Sequence, residues 1–543
     1  MVTGADLIVS VLEAEGVEIA FGLPGVHNLA LWRALGESGV RLVGVRHEQT
    51  AAYAADGYAR ASGRLGVAIT TTGPGAANTL GAVGEAWASR QPLLVIATDV
   101  PTSVRRPGVW RASLHEATDQ GAMFEPVTKG VSRVRSAASL GAAVTEAARL
   151  ALEPSRRPVY LEVPTDLLSA EVDEPAPAPE RQPRREAPAG DRIAAAVERI
   201  EPARRPLIWA GGGALQAGAG DVVGRLAERL VAPVITTYSA SGLLPPDHPC
   251  LVGAPPHVPE VGALWDEADL VLAIGTDFDG PMTQNWKMPQ PPHLVAVNVD
   301  AEDAAKAYRP DVTVEADARD GTELLAQRIE PRGGLDAMAG RLRDLGAGVR
   351  RSLEQSDPEA MEFLDSFAGA LPDDAVVVCD MCIPGYWLGA FHRTPAPRKL
   401  LYPLGWGTLG CGFPQSLGAA LAGAGPVVSV SGDGGFLYAV GELATAAQER
   451  IPLTAVVVDD GGYGMLRFDQ DRRRLPRDGV DLHTPDFAAL AASFGVRSFT
   501  VDDLGANFAA ALSRQIASEE PTLLVAKAAL GPPPNVSPRW YRR

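Results

Sequence analysis

Short apolar runs rich in β-branched residues recur along the chain, and each gives way to a glycine- or acid-bearing turn and then an amphipathic stretch. The clearest case is 426–470. Positions 427–430 read as a strand covered on both faces, because a continuous apolar run leaves no polar face for solvent. Gly432-Asp433-Gly434-Gly435 follows as a tight turn that exposes backbone N–H groups. The next stretch, 441–450, carries Leu443 and Ala447 on one helical face, and a second apolar strand, 453–458, ends in Asp459-Asp460-Gly461-Gly462. Strand, helix and strand in a parallel sheet bring both loops to one carboxyl edge, so Asp433 and Asp460 are predicted to meet.

The same alternation fills 1–168. A helix is predicted at 5–15, strand 18–21 leads into Leu23-Pro24-Gly25, and a helix starts at 28. Strand 41–45 ends in Arg46-His47-Glu48, helix 49–62 follows, and strand 67–71 precedes the glycine-rich 73–78. Residues 191–330 repeat the pattern, with strands at 207–210, 233–237, 270–274 and 294–299, and 358–543 repeats it again. Between these units, 169–190 is rich in proline and charge, the composition of an extended linker. Residues 331–357 read as an arginine-rich helical connector. The predicted fold class is α/β, with three doubly wound parallel-sheet domains whose working loops lie on sheet edges.

Composition narrows the function classes. A net charge of −17 over 543 residues argues against nucleic acid or anionic membrane as partners. No apolar run reaches the length of a bilayer span, and the N-terminal stretch has no basic and apolar leader pattern. Four cysteines are too few for a disulfide scaffold, so a cytoplasmic location is expected. The Cys379–Cys382 pair has no second pair to complete a metal site and reads as packing.

Two carboxylates beside glycine-rich backbone suit a hard divalent cation that carries phosphate oxygens, since Mg²⁺ takes a few protein oxygens and fills its shell from phosphate and water. At this point a family resemblance enters. The GDG unit, RHEQTAAYAADGYAR (46–60), TTGPGAANTL (71–80) and GWGTLGCGFP (405–414) together resemble the decarboxylase-type thiamine diphosphate enzymes, most of all the acetolactate synthases. The resemblance covers nearly the whole chain. It implies pyrimidine-binding, central Rossmann-like and diphosphate-binding domains, in that order.

Carried over residue by residue, the resemblance makes Glu48 the catalytic acid that pairs with a ring nitrogen of the cofactor's aminopyrimidine, with a pKa raised by an apolar pocket. Pro24, Gly25, Gly73 and Asn78 line the pyrimidine side, the Gly407 carbonyl accepts from the pyrimidine amino group, and Leu409 wedges the cofactor into a bent form. Gly432, Asp433, Gly434, Gly435, Asp460, Gly462, Tyr463, Gly464 and Met465 surround the diphosphate. Asp433, Asp460 and the Gly462 carbonyl hold Mg²⁺. The family's asparagine pair is replaced here by Asp459-Asp460. The added charge at 460 should weaken cofactor binding, or make it more dependent on Mg²⁺, unless a neighbour neutralises it. Glu48 and the GDG loop of different subunits meet in such enzymes, so a homodimer or homotetramer is implied.

Val26, His27, His115 and Gln120 fall where relatives line the substrate pocket. Asp469 stands where acetolactate synthases carry a tryptophan. It either makes the pocket polar and suited to a cationic side chain, or faces water. Asp277 replaces an arginine that holds flavin in acetolactate synthases, so no tightly bound FAD is expected. The implied activity is decarboxylation of a small-molecule 2-oxo acid followed by carboligation. One alternative is simple decarboxylation of a larger, guanidino-type 2-oxo acid; another is a non-catalytic scaffold that binds the cofactor.

Overall fold

The computed structural model describes residues 2–172 and 189–534. Most of the predicted linker, 173–188, lies outside the described residues. At its start Glu171–Val172 pairs antiparallel with Val2–Thr3, and helix Gly190–Ile200 begins at its last residue.

Three parallel sheets account for the rest of the strands. The first domain has six, in the spatial order Arg41–Gly44, Ile19–Gly22, Gly66–Thr70, Leu93–Asp99, Val159–Pro164, Gly130–Arg133. The last domain also has six, in the order Leu400–Leu401, Val376–Cys379, Val427–Gly432, Leu453–Val458, Thr522–Ala526, Arg497–Val501. Taken by rank along the chain, the two orders are the same, so the terminal domains are two copies of one topology. The central sheet has five strands, Val234–Thr236, Pro206–Ala210, Leu270–Ile274, Leu294–Asn298 and Val312–Glu315. Helices Leu335–Ser356 and Pro358–Ala370 lead from it into the last domain.

In each terminal domain the strand order reverses between two neighbouring strands, and the crevice outside their carboxyl ends is where such folds bind ligands. In the first domain this reversal places the loops after Ile19–Gly22 and Gly66–Thr70 side by side. In the last domain it places Asp380–Cys382 beside Gly432–Gly435. The GDG run differs from its prediction as a turn. Asp433–Leu437 is already a short helix, so the backbone N–H groups of its first turn stay free of helical partners. The predicted 441–450 helix is likewise broken into a 3₁₀ turn, Val440–Glu442, and helix Leu443–Glu449.

The terminal domains join through topologically equivalent helices, Glu48–Ser62 and Gly412–Leu421. Glycines let the two backbones touch. A Cβ on Gly418 would come 1.7 Å from the Ala54 carbonyl oxygen, and one on Gly57 would come 2.0 Å from that of Gln415. Around this contact Phe21, Tyr53 and Tyr58 of the first domain share one apolar cluster with Phe413, Leu417 and Phe436 of the last. A buried polar network crosses the seam. Arg60 Nε donates to both Asp56 carboxylate oxygens at 3.0 and 2.9 Å, and Gln415 Nε2 donates to Asp56 at 2.7 Å. Glu85, wholly buried, pairs with Arg60 at 3.3 Å and accepts from the Trp406 N–H at 3.0 Å. Losing one member would leave a buried charge uncompensated, at a cost of about 3–5 kcal/mol.

Gly418→Val should therefore lower stability in urea unfolding by about 1–3 kcal/mol through overpacking. Gly346→Ala, in open space on a helix, should be neutral or stabilising by up to about 1 kcal/mol.

Candidate active site

The first cluster of candidate residues sits at the carboxyl edge of the first sheet. Strand Arg41–Gly44 ends in a short loop, and His47 caps helix Glu48–Ser62 by accepting the Gln49 N–H on its ring nitrogen. This puts Glu48 in the first helical turn, only 8% exposed, where a carboxylate favours the helix dipole. Asn78 Nδ2 donates to Glu48 Oε2 at 3.0 Å. Gly75 lies over the other oxygen, since a Cβ there would come 3.4 Å from Oε1 and 2.7 Å from Thr71. Gly73 has a left-handed φ of 63°, and a Cβ on it would reach 2.3 Å from the His115 carbonyl. Gly25 is held by Asn28, whose Oδ1 accepts its N–H at 2.7 Å, while Pro24 and Val26 are exposed.

His27 and His115, far apart in sequence, meet edge to face with ring centroids 5.4 Å apart. Nδ1 of each is buried without a hydrogen-bond partner among the described residues. Burial, and then the neighbouring His115, hold the His27 imidazole below its ordinary pKa. Gln120 is placed differently from the pocket role suggested for it. Its side chain accepts the Gly73 N–H at 2.5 Å and donates to the Thr98 carbonyl at 2.9 Å and the Tyr160 hydroxyl at 2.7 Å, so its amide braces the glycine loop.

The second cluster lies at the corresponding edge of the last sheet. Asp433 is 1% exposed; its Oδ1 accepts the Gly434 N–H at 2.8 Å, and its Oδ2 is buried with no partner. Burial, with Asp460 and Asp459 adding to it, pushes its carboxyl up to about 7. Asp460 is also raised, chiefly by burial, and its Oδ1 is buried without a hydrogen bond. Gly434 faces the Tyr463 ring, where a Cβ would come within 2.5 Å, and Gly464 faces Asp460 Oδ2 at 2.4 Å. Gly462 lies against the Val480 carbonyl, which a Cβ would approach to 2.1 Å. Leu409 lies over Gly435, where a Cβ would be 3.3 Å from both Leu409 Cδ1 and Asp380 Oδ2. Gly407 has φ 67° and faces Met381. Gly432 ends the strand that feeds this turn. Helix Gly464–Arg472 carries Met465, packed on the core, and Asp469 one turn later on the same face. Asp469 pairs with Arg472 at 3.1 Å.

Three supporting residues escaped the sequence reading. Asp380, fully buried, accepts the N–H groups of Met381 (2.7 Å), Gly410 (2.9 Å) and Gly412 (3.2 Å), which fixes the loop bearing Gly407 and Leu409. Burial pushes its carboxyl up to about 6. Glu442 of the last domain accepts the N–H groups of Arg46 and His47 at 3.0 and 3.1 Å, holding the backbone just before Glu48. Arg467 reaches Asp460. The GDG motif announces none of them. Cys382 caps helix Ile383–Phe391, its Sγ accepting the Gly385 N–H at 3.4 Å. Asp277 is paired with Arg90 at 3.0 Å and Lys306 at 2.6 Å.

The donors present fit a Mg²⁺-bound diphosphate. Buried Asp433 offers an unpartnered Oδ2 and partly buried Asp460 an Oδ1 without a hydrogen bond, and no group of three or more His, Cys, Asp or Glu able to hold a metal occurs among the described residues. A cation here would therefore complete its shell from backbone carbonyl, phosphate and water, as Mg²⁺ does. The glycines along 432–435 leave the backbone bare for an anion.

Three family profiles match the chain: the N-terminal TPP binding domain of thiamine pyrophosphate enzymes at residues 2–123, their central domain at 193–326, and their C-terminal TPP binding domain at 382–526. The chain belongs to the thiamine pyrophosphate enzymes. A probable 2-ketoarginine decarboxylase, AruI, of Pseudomonas aeruginosa is 39% identical over 91% of this chain and 88% of its own length. A probable acetolactate synthase large subunit of Methanocaldococcus jannaschii is 31% identical over 96% of this chain and 91% of its own. Among solved structures, the thiamine diphosphate-dependent 4-hydroxybenzoylformate decarboxylase of Rhodococcus jostii RHA1 superposes with a TM-score of 0.83 at 26% identity, covering 97% of this chain and 99% of that one. The two outer profiles are those of TPP binding domains, which supports thiamine diphosphate as the cofactor. No described helix is long and apolar enough to cross a membrane.

Glu442→Ala strands two backbone N–H groups at the mouth of the Glu48 helix. It should cost about 1–3 kcal/mol of stability in denaturant unfolding, with Glu442→Gln retaining most of that.

Proposed function

We propose that this protein uses thiamine diphosphate and Mg²⁺ to decarboxylate a 2-oxo acid that carries a cationic, guanidino-type side chain, releasing an aldehyde. The observation that carries this reading is Asp469, an acid one turn beyond Met465 on the helix that borders the GDG cluster. The 39% identity to a probable 2-ketoarginine decarboxylase supports it.

In this reading Asp433, Asp460 and the Gly462 carbonyl hold Mg²⁺, and the backbone of Gly434 and Gly435 holds the diphosphate. When bound, thiamine diphosphate supplies the electron sink for the pair left as the carboxylate departs as CO₂. Glu48 holds and moves a proton at Oε1, its Oε2 being occupied by Asn78. An aldehyde product must gain a proton at the carbon that loses CO₂, and the paired His27 and His115, with free buried Nδ1 atoms, are the proton carriers on the Glu48 side. Asp469 orients the guanidinium by a charge-assisted hydrogen bond. The two clusters face each other when two copies of the chain associate. Exposed Val26, Leu29, Trp110 and Leu114 in the first domain, and Trp406 and Tyr438 in the last, fit an apolar surface that a second copy covers.

A second reading, carboligation of the acetolactate synthase type, is favoured by the 31% identity across 96% of the chain to the archaeal large subunit. Retention of Glu48 in a buried, hydrogen-bonded place speaks against a non-catalytic scaffold. Flavin has no part in the proposed chemistry.

The test supplies 5-guanidino-2-oxopentanoate, pyruvate and a neutral 2-oxo acid to the Mg²⁺-loaded enzyme, following CO₂ and NMR of the products. Aldehyde from the guanidino acid is the expected result; a branched hydroxy-oxo acid from pyruvate, without that aldehyde, favours carboligation instead. Asp469→Asn should lower kcat/KM for the guanidino acid by roughly ten- to a hundredfold, the loss of one charged hydrogen bond, and spare the neutral acid. Glu48→Gln should abolish turnover while cofactor binding, measured by titration, is retained.

A further inference from the structure

An aspartate at 460 brings a negative charge to a site that must also hold an anionic diphosphate and a second carboxylate, Asp433. The structure places one cation against it. Arg467, one turn along helix Gly464–Arg472, sends Nη1 to the Asp460 carbonyl oxygen at 2.9 Å and lies 3.5 Å from its carboxylate Oδ1. Both side chains are 16% exposed, so solvent screens the pair little. The guanidinium also reaches Asp481 at 2.7 Å, in the segment that braces the loop through Tyr463 N–H to the Val480 carbonyl and Leu482 N–H to the Gly461 carbonyl, both 2.9 Å. It needs a glycine beneath it: a Cβ on Gly462 would stand 2.4 Å from Nη2.

We infer that Arg467 is the counter-charge that allows aspartate at 460 to serve as a metal ligand, Asp460 being the less exposed of the two acids that Arg467 pairs with and Asp481 largely open to solvent. Arg467 touches neither metal nor substrate in this role; it is a positioning residue that acts through Asp460. The guanidinium offsets the added carboxylate charge and, by holding the Asp460 carbonyl, fixes the loop that carries Gly462, whose carbonyl would be the third ligand. An amide at 460 would need no such partner. The two positions are thus coupled, and replacing one changes what the other does.

The inference rests on the proposed Mg²⁺ ligands, and a double-mutant cycle separates the two. Wild type, Arg467→Gln, Asp460→Asn and the double variant are titrated with thiamine diphosphate at fixed Mg²⁺, and with Mg²⁺ at fixed cofactor. Binding is read by tryptophan fluorescence and calorimetry rather than turnover. Arg467→Gln should weaken cofactor binding at least tenfold in the wild-type background and less than threefold in the D460N background. Its loss should shrink as Mg²⁺ rises. Arg467→Lys, which keeps the charge, should stay within threefold of wild type.

Equal losses in both backgrounds, or no loss in either, would overturn the inference and reduce Arg467 to a loop brace. A folded R467K variant as weak as R467Q would overturn it as well. Should R467Q fail to fold, verified by circular dichroism, the R467K comparison and the double variant carry the test. Wild-type binding that ignores Mg²⁺ would instead remove the metal reading, and the pair's role with it.

Discussion

The backbone-to-backbone contact between helices Glu48–Ser62 and Gly412–Leu421 is the constraint on which both halves of the candidate site depend. Gly57 and Gly418 permit it, because any side chain at either place would collide with a carbonyl of the facing helix. One of these helices presents Glu48 from its first turn. The other is entered through the loop bearing Gly407 and Leu409. The helix contact therefore sets where both Glu48 and the loop bearing Gly407 and Leu409 stand relative to the shared core. The charges that cross the seam, Asp56, Arg60 and Glu85, are buried and mutually paired, so they fix one arrangement rather than several.

From this frame outward, the candidate site residues gather at two sheet edges. At each, a strand ends where the sheet order reverses, and glycines keep the backbone bare. A few acids are held there without enough partners of their own. Among the described residues, Asp433 Oδ2 is buried with no partner, and Asp460 Oδ1 has no hydrogen bond and only Arg467 as a nearby cation, an arrangement that a bound cation would relieve. His27 and His115, packed on each other, keep unpartnered nitrogens. Gln120, Asp380 and Glu442 instead each spend their side chains on backbone N–H groups, and so hold loops in place.

The α/β class and the strand cores were legible because parallel strands buried on both faces write themselves as apolar runs. Leu270–Ile274 and Leu453–Val458 match their predicted limits. The glycine and acid motifs were legible because their spacing follows from strand-to-helix turns. Helix starts were less so: the GDG run looks like a turn, yet Asp433 begins a helix, since glycine permits either conformation. Partnerships across long separations left no periodic signal. The meeting of His27 with His115, the reach of Glu442 to the Arg46 backbone and the place of Gln120 under Gly73 all depend on how separate elements dock. Arg467 could have been suspected from the unusual aspartate at 460, which asks for a nearby cation, but its identity could not be read from spacing alone.

The repeated topology of the terminal domains has a consequence for how such chains can be recombined. Each domain contributes one member of a matched pair of helices, and the match is steric, glycine against carbonyl, with a buried arginine and two acids of the first domain bonded across the seam to the last. A terminal domain transplanted alone into a relative would carry half a lock whose other half was shaped elsewhere. The natural unit of exchange is therefore the two outer domains together, despite the intervening domain that separates them along the chain.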